Sequence, residues 1–158
     1  MSAWERWTFS VLAGVVTVTG LVYLWMKYGM TSLDPFAVVN HPWQPAMLSL
    51  HVVSAPALIL VFGIVFRSHI LGKLFSAIKP NRRSGWLSLA SFAVMAASGY
   101  LLQVAAHPVG IEALVVAHVA SSLVFVAGFG THLVIGFRLS RATAPRCGIA
   151  AEVAEPWP

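Results

Sequence analysis

Four long apolar runs and three polar connectors alternate along the chain. The last run, between Glu112 and Arg138, holds 25 residues without a formal charge. A helix needs about 20 apolar residues to cross a bilayer, and each of the four runs reaches that length. The pattern predicts an all-α protein, an integral membrane four-helix bundle whose spans cover about residues 7–28, 46–66, 84–105 and 112–138.

Turn-forming and basic residues mark the connectors, which lie at 27–45, 67–83 and 106–111. The first ends on Asn40–Pro45, whose prolines end one helix and begin the next. In the basic second connector we expect an interfacial helix over about residues 68–78, until Pro80-Asn81 breaks it. The tail, 139–158, is expected to be a loosely ordered cytoplasmic segment. We expect no internal repeat in the chain.

The composition excludes a soluble protein. Hydrophobic residues make up 58% of the chain and charged residues 9%, whereas soluble domains carry about 25% charged residues. The net charge of +5 would suit a nucleic-acid partner, but the basic residues flank the apolar runs, so we expect lipid and no nucleic acid as the partner. The single Cys147 allows no intrachain disulfide.

The distribution of Lys and Arg predicts the orientation. Nine of them lie in the N-terminal segment, the second connector and the region from Arg138 onward, and only Lys27 lies on the other side. Positive residues stay in the cytoplasm, so both termini are expected there. The predicted location is the bacterial inner (cytoplasmic) membrane, with the first and third connectors facing outward.

Four histidines lie within or just beyond the second and fourth spans: His51, His118 and His132 lie within them, and His69 lies just past residue 66. His118 and His132 are 14 positions apart, which is ~21 Å along a helix and within about 40° of one face. His51 and His69 are 18 positions apart, also on one face. Because both spans run inward, His51 is expected to face His118 at the outer level, and His69 to face His132 at the inner level.

Paired imidazoles inside a membrane suit a haem iron with two axial nitrogen ligands. Two non-covalent haems b, stacked across the bilayer, would transfer electrons without binding oxygen. Gly99 lies level with His118 and would make room for the outer haem, although small residues are also common in helix packing. His51 to His69 spans ~27 Å of straight helix, whereas His118 to His132 spans ~21 Å. The inner pair therefore needs a tilt of the second span or a kink at Pro56.

The arrangement of His51, His69, His118 and His132 over about residues 7–138 resembles the small membrane-bound di-haem b-type cytochromes. These include bacterial cytochrome b561 and the gamma subunits of formate dehydrogenase and nickel–iron hydrogenase. The resemblance is one of architecture, since the first span here has no histidine. It implies an electron carrier in a hetero-oligomeric complex, working with the quinone pool and an extramembrane redox subunit such as a c-type cytochrome or an iron–sulfur protein.

Other residues have both a functional and a structural interpretation. Arg67 would pair with an inner haem propionate, although basic residues there also satisfy the positive-inside rule. His41 would bond a propionate or accept a proton from a quinol, or it simply forms part of a turn. Tyr100 and Gln103 are candidate quinone contacts. A possible quinone site makes the chain, at most, the electron-transfer subunit of an oxidoreductase complex.

Two other functions fit the same pattern. The chain would be a haem-poor or haem-free anchor of a larger complex, or a small transporter or metal-handling membrane protein. Apart from Glu112, the first residue of the fourth, the predicted spans contain no Asp or Glu. Transporters often carry intramembrane carboxylates or broken helices, so this absence disfavours proton-coupled transport.

Overall fold

Helices make up almost all of the secondary structure in the computed structural model, which describes residues 2–32, 34–74 and 82–142. No strand occurs among these residues, which confirms the all-α prediction for them. A π-helical turn at Phe66–Ile70 links α2 to α3. The α-helices are α1 (Ala3–Tyr28), α2 (Gln44–Val65), α3 (Leu71–Leu74), α4 (Arg82–Leu102) and α5 (Pro108–Ala142).

Four helical segments in the described part are long and apolar enough to cross a membrane, at Ala3–Tyr28, Gln44–Ile70, Gly85–Leu102 and Pro108–Arg138. Many large apolar side chains on these segments are exposed, among them Val53, Leu60 and Val116. Contiguous exposed apolar surface is unfavourable in water and favourable against lipid tails. The helices are therefore those of a multi-pass membrane protein whose apolar faces contact lipid.

Local chemistry accounts for the helix ends. Ser2 and Glu5 form a reciprocal capping box at the start of α1, which satisfies backbone N–H groups that lack helical partners. α5 begins at Pro108, earlier than the predicted residue 112, and the His107 carbonyl accepts the N–H of Ile111. A proline at the first helical position loses nothing, because its missing N–H would have no partner.

The second connector is only partly described. Of residues 68–78, where an interfacial helix is expected, the structure describes those as far as Leu74, and they form the end of the π-helical turn and α3. α2 runs through Pro56 without interruption. Residues 75–81, with the predicted break at Pro80-Asn81, and residues 143–158, with Cys147, lie outside the described residues.

The chain divides into two units, Met1–Lys79 and Pro80–Pro158, and each is a helical hairpin. In the first hairpin α1 packs on α2, and in the second α4 packs on α5. Aromatic contacts join the helices of each hairpin, with ring centroids 6.1 Å apart for Phe9 and Phe62 and 5.4 Å apart for Phe92 and Phe125. The end of each hairpin where the connector joins its two helices is called the connector end below.

Candidate functional site

His51 lies near the connector end of the first hairpin, held by α1. Its Nδ1 is 2.9 Å from the carbonyl oxygen of Val16 and 3.4 Å from Oγ1 of Thr19. A Cβ atom added to Gly20 would lie 2.9 Å from the His51 Cε1 atom and 3.0 Å from Nδ1. The ring therefore occupies space that only glycine leaves open on this face of α1.

These contacts determine which nitrogen of His51 carries the proton. A backbone carbonyl can only accept a hydrogen bond, so Nδ1 is the donor and the neutral ring has its lone pair on Nε2. The Thr19 hydroxyl donates to the Val15 carbonyl at 2.8 Å, which directs an oxygen lone pair toward the same N–H. Metal-ligating histidines commonly donate their second nitrogen to a carbonyl in this way.

The same arrangement recurs around His118 in the second hairpin. Its Nδ1 is 3.0 Å from the Met95 carbonyl and 3.4 Å from Oγ of Ser98. Ser98 in turn donates to the Val94 carbonyl at 2.7 Å. A Cβ atom on Gly99 would lie 2.8 Å from the His118 Cε1 atom. We call each set of carbonyl, hydroxyl residue and glycine around an imidazole a histidine seat.

The two histidine seats are related by constant shifts in numbering. On the first helix of each hairpin, positions 16, 19 and 20 correspond to 95, 98 and 99, a shift of 79 each time. On the second helix, positions 51 and 54 correspond to 118 and 121, a shift of 67. The expectation that the chain has no internal repeat is wrong at the level of structure, because its two hairpins repeat one another.

The repeat extends beyond the seats into the helix interface. Ser54 and Ser121 each donate to the carbonyl of the histidine that precedes them by one turn, at 3.3 and 3.2 Å. Leu58 is 3% exposed and Phe125, its counterpart, is 4% exposed. The two imidazoles thus enter equivalent positions of equivalent interfaces, and both rings are half-buried.

The hairpins differ at the end opposite the connector. By the same shift of 67, the counterpart of His132 is Val65, a buried apolar residue. His69 lies one turn further along, in the π-helical turn, where neighbouring Ser68 donates to Glu5 at 3.1 Å. His69 and His132 are both half-buried, but they do not occupy equivalent positions.

The connector histidine His41 has a different hydrogen bond. Its Nδ1 accepts the backbone N–H of Trp43 at 3.1 Å, and its carbonyl accepts the N–H of Gln44 at 3.0 Å. The proton of the neutral ring is then on Nε2. This geometry closes the turn that begins α2, so it favours the structural interpretation of His41.

Four further residues were predicted from the sequence: Gly99, Arg67, Tyr100 and Gln103. Gly99 does lie at the level of His118, but the space it leaves is filled by the His118 ring itself. Arg67 is exposed in the π-helical turn. Tyr100 and Gln103, the candidate quinone contacts, are exposed at the connector end of α4.

Thr19, Gly20 and Ser98 were not identified from the sequence. A short signal for them exists, because a hydroxyl residue followed by glycine occurs in the first helix of each hairpin, as Thr19-Gly20 and Ser98-Gly99. The pattern His-Val-x-Ser then occurs in each second helix, beginning at His51 and at His118. The two patterns together mark the repeat.

No protein-family model, curated protein or solved structure matches the chain. Within the described residues, no group of three or more His, Cys, Asp or Glu side chains is arranged to hold a metal ion.

Proposed function

We propose that this chain is a b-type cytochrome subunit of the bacterial inner membrane. In this proposal it is a four-helix bundle with both termini in the cytoplasm, and it carries electrons across the membrane between the quinone pool and an extramembrane redox partner. The observation that carries the proposal is the pair of histidine seats, which hold two intramembrane imidazoles in the same tautomer.

The seats fit haem b because of the donor atoms they present. His51 and His118 would hold one haem, each through Nε2, while Nδ1 donates to the backbone. A bound haem supplies reversible one-electron chemistry, and two imidazole ligands leave no coordination position for oxygen. A haem needs only one or two axial ligands from the protein, so one imidazole from each hairpin suffices.

A second haem at the opposite end is part of the proposal but has less support. His132 and His69 would be its ligands, with Arg67 bonding a propionate. Both histidines lie within the helical segments that could cross a membrane, where ionisable residues usually mark function. The repeat supports the His51–His118 pair alone, because Val65 stands at the position equivalent to His132.

The remaining parts of the proposal concern partners. A quinone would bind near Tyr100 and Gln103, whose side chains are accessible at one end of α4. The extramembrane partner would be a c-type cytochrome or an iron–sulfur protein within a larger complex.

The test is a reduced-minus-oxidised visible spectrum and a haem assay on the purified full-length protein. We expect b-type absorption and two haems per chain. His51→Ala and His118→Ala should each remove the same haem, whereas His107→Ala, which changes an exposed connector histidine, should remove none.

Two results would contradict parts of the proposal. Wild-type protein without a b-type spectrum would favour the haem-free anchor or the metal-handling alternative. Retention of both haems in His69→Ala would show that His69 is not a ligand and leave the inner assignment wrong, while the His51–His118 haem would stand.

A further inference from the structure

We propose that Thr19-Gly20 and Ser98-Gly99 are matched positioning pairs that hold the two imidazoles as Nδ1–H donors and thereby lower the midpoint potential of the haem they ligate. This inference rests on the proposed function. It assigns a role to residues on α1 and α4, which contribute no ligand of their own. The two pairs act through the ring and not on the iron.

The glycines are required by the position of each ring. A Cβ at Gly20 or Gly99 would approach the imidazole to 2.9 or 2.8 Å, a separation that demands movement of the ring. Other glycines of the same helices do not share this property, because a Cβ on Gly14 or on Gly85 would meet nothing within 4 Å. Close approach to an imidazole is therefore specific to the seats.

The carbonyl and the hydroxyl give the ring its electronic character. Val16 and Met95 each present a carbonyl oxygen to Nδ1 at 2.9 and 3.0 Å, so each ring donates to a strong acceptor in a low-dielectric environment. Donation from Nδ1 raises the electron density at Nε2. A more basic axial ligand stabilises ferric over ferrous iron, and the potential falls.

Ordinary helix packing would explain small residues but not the whole pattern. Glycine, serine and threonine are all common where membrane helices approach closely. Packing alone does not require the carbonyl, the hydroxyl and the glycine to meet the same ring in both hairpins, at distances that agree within 0.1 Å. The repetition indicates selection for the position of the ring.

The experiment compares Gly20→Ala and Gly99→Ala with Gly14→Ala and Gly85→Ala in the full-length haem-loaded protein. Haem affinity is measured by titrating haem-depleted protein with haemin, and the midpoint potential by redox titration of the absorption band. We expect the seat variants to bind haemin 10–100-fold more weakly, as loss of an outer-shell partner commonly does. The midpoint potential should rise by ~59 mV for each tenfold by which the affinity for ferric haem falls more than the affinity for ferrous haem.

Hydroxyl variants give a second test that leaves the glycines intact. Thr19→Val and Ser98→Ala should raise the potential by a smaller amount, and Thr19→Ser and Ser98→Thr should restore it. In addition, 15N spectra of histidine-labelled, haem-depleted protein should show two rings protonated at Nδ1, assigned by their loss in His51→Gln and His118→Gln.

The outcomes separate this inference from the proposed function. Wild-type protein that binds no haem contradicts the proposed function. If the wild type binds haem but Gly20→Ala and Gly99→Ala match Gly14→Ala and Gly85→Ala in haem affinity and midpoint potential, the positioning role alone is overturned. Rings protonated at Nε2 in the 15N spectra also overturn it. If the alanine variants fail to fold, the hydroxyl variants and the 15N spectra decide.

Discussion

At the scale of the residue, the role of each histidine depends on the group that faces Nδ1. His51 and His118 face carbonyl oxygens, so their Nε2 atoms carry the lone pair. His41 faces a backbone N–H and has the opposite tautomer when neutral. One hydrogen bond at Nδ1 therefore decides which ring nitrogen carries the proton, so His41 differs in tautomer from His51 and His118.

Substitution of His41 should distinguish a turn residue from a haem contact. An Asn side chain forms the same bond to the N–H two residues on, so His41→Asn should keep the stability of wild type. His41→Ala should lose about 0.5–1.5 kcal/mol, the usual contribution of such a bond. Thermal unfolding in detergent measures the difference. Unchanged haem content in both variants supports the turn role, whereas loss in both would restore the propionate interpretation.

At the scale of the element, the two hairpins agree near their connectors and diverge at the other end. There the first hairpin has Val61 and buried Phe9, whereas the second has Gly128 and Ser88 at the corresponding positions. Small residues allow two membrane helices to approach closely. The two hairpins therefore share the histidine seat near the connector but differ in the side chains that pack at the other end.

The close approach of α4 and α5 should make Gly128 sensitive to added volume. A Cβ there would lie 2.9 Å from the Ser88 Oγ atom, so Gly128→Ala is expected to destabilise the protein by about 1–3 kcal/mol, the range for overpacking. Ser88→Gly in the same chain should recover most of that loss. The measurement is a double-mutant cycle by unfolding in mixed micelles.

The matched control for this cycle is Gly130→Ala, two positions away on α5, where a Cβ would meet nothing within 4 Å. It should cost nothing, or stabilise slightly, since alanine favours helix. Equal destabilisation by Gly128→Ala and Gly130→Ala would argue against close packing at Ser88.

At the scale of the whole molecule, hydropathy and charge determine how the chain meets a membrane. Four helical segments in the described part are long and apolar enough to cross it. The charge count, with nine basic residues against one, predicts that both termini share the cytoplasmic side. That sidedness stays a prediction from the charge count.

Thiol labelling in right-side-out membrane vesicles tests the orientation. Cys147 is the only native cysteine, and we expect a membrane-impermeant reagent to reach it only after lysis. In a Cys147→Ser chain, Phe36→Cys should react in intact vesicles, because Phe36 lies in the first connector and is 92% exposed. Reaction of Cys147 in intact vesicles would reverse the predicted topology.

The number and position of the helices could be predicted from the sequence because hydropathy is a local property. A bilayer demands about 20 apolar residues with all backbone groups bonded internally, and each run satisfies that demand by itself. The predicted ends were less accurate: α4 ends at Leu102 instead of residue 105, and α5 begins at Pro108 instead of residue 112. Those ends depend on individual turns and caps.

The sequence by itself determined an all-α membrane protein with four long apolar helices and four histidines within or just beyond two of them. Only the tertiary structure decided how two of these histidines are held. The Val16 carbonyl is 35 positions from His51, and the Met95 carbonyl is 23 positions from His118. Hydropathy along the chain carries no information about contacts at such separations, which form only when two helices pack. The repeated seat, and with it the tautomer of each imidazole, is therefore a property of the folded hairpins.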